Sequence, residues 1–199
     1  MTSTPPEPLL AELRSSTRPL HDDIERLLAL EAPMELGRYQ AIIGGFHSFL
    51  SRWEQDLLAA LPPSLQGWFQ ERGRARFAAD DLGYLASLGL PAARPASAAQ
   101  PDLQDAGLAS VFGSMYVIEG SALGGQVITP KLQRDMGLEP GRGASYFHGY
   151  GGRTSAMWRE FRQKAVAEVG GEPAALRAAS EAAQATFGAL IATFRPLLA

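Results

Sequence analysis

The chain has 199 residues, 46% hydrophobic and 20% charged, and its 18 basic and 21 acidic residues leave a formal charge of −3. That length fits one domain able to bury roughly 70% of its unfolded surface, and the slightly acidic balance argues against the cationic footprint of a nucleic-acid binder. With no cysteine, disulfides, thiol catalysis, iron–sulfur ligation and thiolate metal sites are excluded. His21, His47, His148 and the carboxylates remain as metal-ligand candidates.

Residues 1–8 are polar and Pro-rich, lack the apolar run of a signal peptide, and are expected to form a flexible N-terminus ahead of a helical domain over 9–199. No apolar run reaches the ~18 residues of a membrane span, so the reading is a cytoplasmic protein without a membrane partner. Leu9, Leu10, Leu13, Leu20, Ile24, Leu27 and Leu28 then repeat at helical spacing. Pro19 falls inside this stretch, and an interior proline costs a helix ~3 kcal/mol. Either the helix starts near Thr17, with Asp22 and Asp23 in its first turn, or it is kinked.

A second helix carries Ile42, Ile43, Phe46, Phe49, Leu50, Trp53 and Leu57 and stops at Pro62-Pro63, after which Leu65, Trp68 and Phe69 continue the helical spacing. Residues 89–101 form a Pro- and Ala-rich loop. Leu108, Val111, Phe112, Met115, Ile118, Leu123 and Val127 describe another helix, the six glycines of 137–152 a loop, and Trp158, Phe161 and Val166, then Leu176, Phe187, Leu190, Ile191 and Phe194, two more helices. Strand-type alternation is almost absent, so the fold class is all-α.

Two features do not suit a plain bundle. Gly120, Gly124 and Gly125 sit inside a helical pattern, where each glycine costs about 1 kcal/mol against alanine. Gly120 and Gly124 share a face at i, i+4. There the bared backbone serves either a close helix–helix crossing or a flat ligand lying against it, with Ser121 and freed carbonyls able to hold water. The second feature is His21, with Glu25 one turn later and Thr17 one turn earlier on the stripe that carries Arg14, Ile24 and Leu28. It is either an axial metal ligand steadied by Glu25 or a partly exposed histidine in a Glu pair. His47 and His148 have no ligand spacing to another histidine and read as structural, and Glu119 reads as an ion-pair partner or a proton-path group.

Taken together, LRSSTRPLHDDIE (13–25) and YVIEGSALGGQVI (116–128) resemble the heme oxygenase family in its compact bacterial form, with GGRTSAMWREF (151–161) and TFGALIATF (186–194) extending the similarity over most of the chain. The resemblance implies an all-helical fold that sandwiches heme b between the first and the glycine-rich helix. It makes His21 the iron ligand, Glu25 the acid that steadies its ring, and Thr17 a heme-binding neighbour on the same face. Gly120, Ser121, Gly124 and Gly125 become the helix over the distal side, and Phe187 an aromatic lining that side. Arg14, Arg159 and Arg162, with Tyr116, become contacts of the heme propionates.

The implied reaction takes heme as substrate and cofactor, with O2 and electrons from a ferredoxin, a flavoprotein reductase or ascorbate, to biliverdin, carbon monoxide and ferrous iron. Ser121 stands where better-known members carry an aspartate, and Leu190 where some carry a polar residue. A hydroxyl can bond water but holds no charge at neutral pH. The alternatives are a heme carrier that leaves the ring intact and, on the same fold, a thiaminase-like hydrolase, against which the missing cysteine counts. The assembly is expected to be a monomer or a weak homodimer.

Overall fold

The computed structural model describes residues 8–92, 97–103 and 106–199. Nearly all of the expected flexible N-terminus, and parts of the Pro/Ala loop, lie outside the described residues. Among those described there are nine α-helices and no strand, only isolated bridges from Glu139 to Arg142 and Gly143. The protein is all-α. None of the helices is long and apolar enough to cross a membrane.

Helix α1 (Pro8–Leu28) runs without interruption through Pro19, so it does not start near Thr17 and the proline lies in its interior. Pro19 and Ser15 both face solvent, where water replaces the N–H that the Ser15 carbonyl loses. The apolar side of α1, with Leu9, Leu13, Ile24 and Leu28, is buried and packs along α9 (Pro173–Leu198).

Helix α2 (Leu36–Ala60) ends at the diproline, and Pro63 takes the first position of α3 (Pro63–Gln70), where a missing N–H costs nothing. Helix α4 (Ala75–Ser87) follows after a tight turn. Helix α5 (Leu108–Ser121) passes through a 3-10 turn, Ala122–Gly124, into α6 (Gly125–Met136), which Gly137 closes at φ 67°. The glycine-rich stretch is therefore two helices with a tightened joint between them. Within 137–152 lies a short helix α7 (Ser145–His148), before α8 (Thr154–Val169).

Helix α9 packs against α1, α2 and α5 and puts Phe187, Leu190 and Phe194 into a contiguous core with Phe46, Phe49, Trp53, Phe112 and Phe161. The α5–α9 crossing is close because Gly113 has no side chain: a Cβ there would overlap the Ala179 carbonyl. Beside it, Trp53 Nε1 donates to Ser114 Oγ at 2.8 Å, and Ser114 shares a hydrogen bond with Thr186 Oγ1 at 2.7 Å. This buried polar chain fixes the register of α9.

Candidate heme site

His21 projects from the solvent side of α1, its side chain 54% exposed, with Nδ1 3.5 Å from Glu25 Oε2. One helical turn brings these groups together, and an N–H on Nδ1 would leave Nε2 as the free ligating nitrogen. His21, Asp22 and Glu25 all lie within 4.8 Å of one another at their ligand atoms. Thr17 is buried, and its Oγ1 donates to the Leu13 carbonyl at 2.6 Å. Its hydroxyl is thus occupied by its own helix, leaving the methyl to line the α1 face.

Phe187, carried by α9, meets the imidazole edge-on with ring centroids 6.0 Å apart. That places it beside His21; the resemblance would have it line the glycine-bearing side, and α9 packs against both α1 and α5.

The glycines divide. A Cβ on Gly120 would meet only the Trp158 ring edge at 3.8 Å, and one on Gly124 only Ile128 Cδ1 at 3.8 Å, both ordinary contacts. No neighbouring helix crosses closely at either residue, so the crossing considered for this pair is instead found at Gly113. Gly125 is different again, because a Cβ there would overlap the Phe147 carbonyl oxygen. Its bareness is required by packing against α7.

Ser121, at the joint, donates to the Ile118 carbonyl at 2.7 Å and accepts from Arg74 Nη1 at 2.9 Å. Arg74 is 2% exposed. The same Nη1 also donates to the Ile118 carbonyl at 3.0 Å, Nη2 donates to the Tyr146 carbonyl at 3.3 Å, and the guanidinium lies 4.6 Å over the Tyr146 ring. Glu54 holds the start of α4 by accepting the Arg74 and Ala75 backbone N–H groups at 2.6 and 2.8 Å.

Glu119 is also buried. It pairs with Arg72 Nη1 at 2.9 Å and accepts from the Tyr150 hydroxyl at 3.3 Å, so of the two expected roles the ion pair is the one made. Burial pushes its carboxyl above the usual range, with Arg72 and Arg74 opposing.

At the edge, Arg14 is exposed, and its charge opposes the effect of burial on the half-buried Tyr116 phenol of α5. Tyr116 lies 5.7 Å from Trp158, ring to ring. Arg162 reaches over Trp158 at 5.9 Å, with Nε unpartnered among the described residues. Arg159 is exposed. His47 is half-buried on α2 and His148 exposed on α7.

Arg72, Arg74, Tyr146 and Asp81 were not among the residues singled out from the sequence. The RGRAR stretch (72–76) has the composition of solvated surface, and it is contacts with α5, α7 and α8 that bury Arg72 and Arg74. The mid-helix glycines were the available signal that something unusual backs this segment.

The heme oxygenase family model matches residues 7–196. A heme oxygenase from Xanthomonas campestris pv. campestris (strain 8004) is 34% identical over 154 residues, covering 76% of this chain and 81% of its own. The crystal structure of heme oxygenase 2 from Chlamydomonas reinhardtii without heme superposes with a TM-score of 0.72 at 18% identity, over 97% of this chain and 99% of that one, a likeness of fold. The chain belongs to the heme oxygenase family of enzymes.

Proposed function

We propose that this enzyme holds heme b on His21 and opens the ring at a meso carbon with O2 and reducing equivalents, giving biliverdin, carbon monoxide and ferrous iron. The observation that carries the reading is the joint between α5 and α6, where a Cβ on Gly120 or Gly124 would meet only a ring edge or a methyl group at ordinary contact distance, taken with a half-exposed histidine on α1. These residues fit the substrate: one side offers a nitrogen ligand, and the other a backbone without side chains. The heme, when bound, supplies the redox iron and the carbon edge that is oxidised.

The protein's own work is placement. Glu25 orients the imidazole so that Nε2 is the ligating nitrogen. Gly120 and Gly124 keep volume clear for dioxygen. Ser121, steadied by Arg74, is the polar group at the joint able to bond water and pass a proton. Arg14, Tyr116, Arg159 and Arg162 are the cations and phenol suited to the propionates. Electrons come from a donor such as a ferredoxin, a flavoprotein reductase or ascorbate.

Titration with hemin, followed by a reductant with catalase present, tests this. Loss of the Soret band with a rising red-absorbing bilin band is expected. Stoichiometric binding without ring loss, even with a ferredoxin system, would instead make the protein a carrier.

A further inference from the structure

Tyr146 is the buried titratable group left without a task. It is 1% exposed, its ring stacks on Phe46 at 4.6 Å and lies beneath the Arg74 guanidinium, yet its hydroxyl has no hydrogen-bond partner among the described residues. Unpaired buried hydroxyls are unfavourable and uncommon, so an acceptor within reach is expected. Arg74 brings Ser121 beside the phenol, with its guanidinium 4.6 Å from the Tyr146 ring and its Nη1 2.9 Å from Ser121 Oγ.

A serine hydroxyl has one hydrogen and two lone pairs. Ser121 gives its hydrogen to the Ile118 carbonyl and one lone pair to Arg74, which leaves one lone pair open. We infer that a small rotation lets Tyr146 donate to that lone pair, making Tyr146 a positioning residue for Ser121. With both lone pairs filled from behind, Ser121 can no longer accept from the substrate side. Its remaining polar capacity is to swing its hydrogen from Ile118 toward the open face of Gly120 and Gly124 and donate there. Two bonds accepted by one oxygen also strengthen the bond that it donates.

The phenol is delivered on a rigid support. Asp81, fully buried on α4, accepts the Ser145 and Tyr146 N–H groups at 2.7 and 2.8 Å, and Arg74 holds the Tyr146 carbonyl. The inference rests on the heme-cleaving reading for its consequence, while the bond itself is a property of the heme-free protein.

Tyr146→Phe keeps the ring and its stack and removes only the hydroxyl. Hemin affinity is expected within about twofold of the parent and turnover lower by up to roughly tenfold, the scale of one lost neutral hydrogen bond. In the heme-free protein a slowly exchanging phenolic proton should appear by NMR, vanish in Tyr146→Phe, and shift and exchange faster in Ser121→Ala. A parental turnover in Tyr146→Phe, the absence of such a proton, or a signal unmoved by Ser121→Ala would each overturn the inference. If Tyr146→Phe does not fold, tyrosine-selective labelling assigns the signal and Ser121→Ala alone decides. A parent that binds but never cleaves heme would sink the functional reading and leave the NMR result standing.

Discussion

Gly113 and Gly120 sit about two turns apart on one helix and meet opposite surroundings. Gly113 lies under the Ala179 backbone, and Gly120 meets only the edge of the Trp158 ring at ordinary contact distance. Gly125 and Gly124 repeat the contrast one residue apart, the first sealed by the Phe147 carbonyl and the second open. A glycine in a helix is thus required in one place because something touches the backbone. In the other place, a side chain would meet only ordinary contacts. The second kind leaves room for a ligand, and the helix gives up about 1 kcal/mol there with no packing to offset it.

The contrast breaks most visibly at its packed end. Gly113→Val is expected to force α5 and α9 apart and cost about 3 kcal/mol or more, which lowers Tm by roughly 6–12 °C. A melt within a degree of the parent would mean that the crossing is loose. At the open end Gly120→Leu should fold as well as the parent, within about 1 kcal/mol, yet abolish dioxygen binding to the reduced, heme-loaded protein. Unaltered dioxygen binding would remove the steric argument for the bare joint.

His21→Ala sharpens the comparison from the facing helix. It should leave the melt within about 0.5 kcal/mol, as exposed substitutions do, while the axial-ligand spectrum and turnover are lost. Retained turnover with the parental iron spectrum would transfer the ligand role elsewhere.

The smallest effect concerns pH. The Glu119 carboxyl is raised by burial, so the native state binds its proton more tightly than the unfolded chain does. Its contribution to stability is fully present below the unfolded value and is lost as pH rises through the folded one. Relative to Glu119→Gln, the parent should therefore gain stability as pH falls from neutral into the carboxylate range, read by urea titration at several pH values. A gap that widens in the other direction would contradict the burial argument.

The helices that bury large apolar side chains were legible from spacing, because Leu, Phe and Trp recur every three to four residues in α1, α2, α5, α8 and α9. Helix α4 was not: ARFAADDLGYLAS offers alanine, aspartate and glycine where the pattern needs bulk, and it is held by Glu54 and Asp81 contacts across the fold. Of the site, His21, Glu25 and the two open glycines could be read from motif and spacing. Arg74 could not, since its bond to the Tyr146 carbonyl spans 72 positions and a lone arginine carries no mark of burial. The separate duties of Gly124 and Gly125 were likewise invisible, because only the position of Phe147 distinguishes them.

The joint between α5 and α6 behaves mechanically as a beam clamped at both ends. One clamp is the Gly113 crossing with α9, and the other is Gly125 against α7, itself tied to α4 by Asp81 and to α2 through the Tyr39 hydroxyl on the Gly143 carbonyl at 2.7 Å. A span fixed in this way can flex between its supports but cannot slide along them. Adjustment to a rigid planar guest would then have to come from outside that span, and α1, fastened along α9 and only lightly on α8, has a single extensive support.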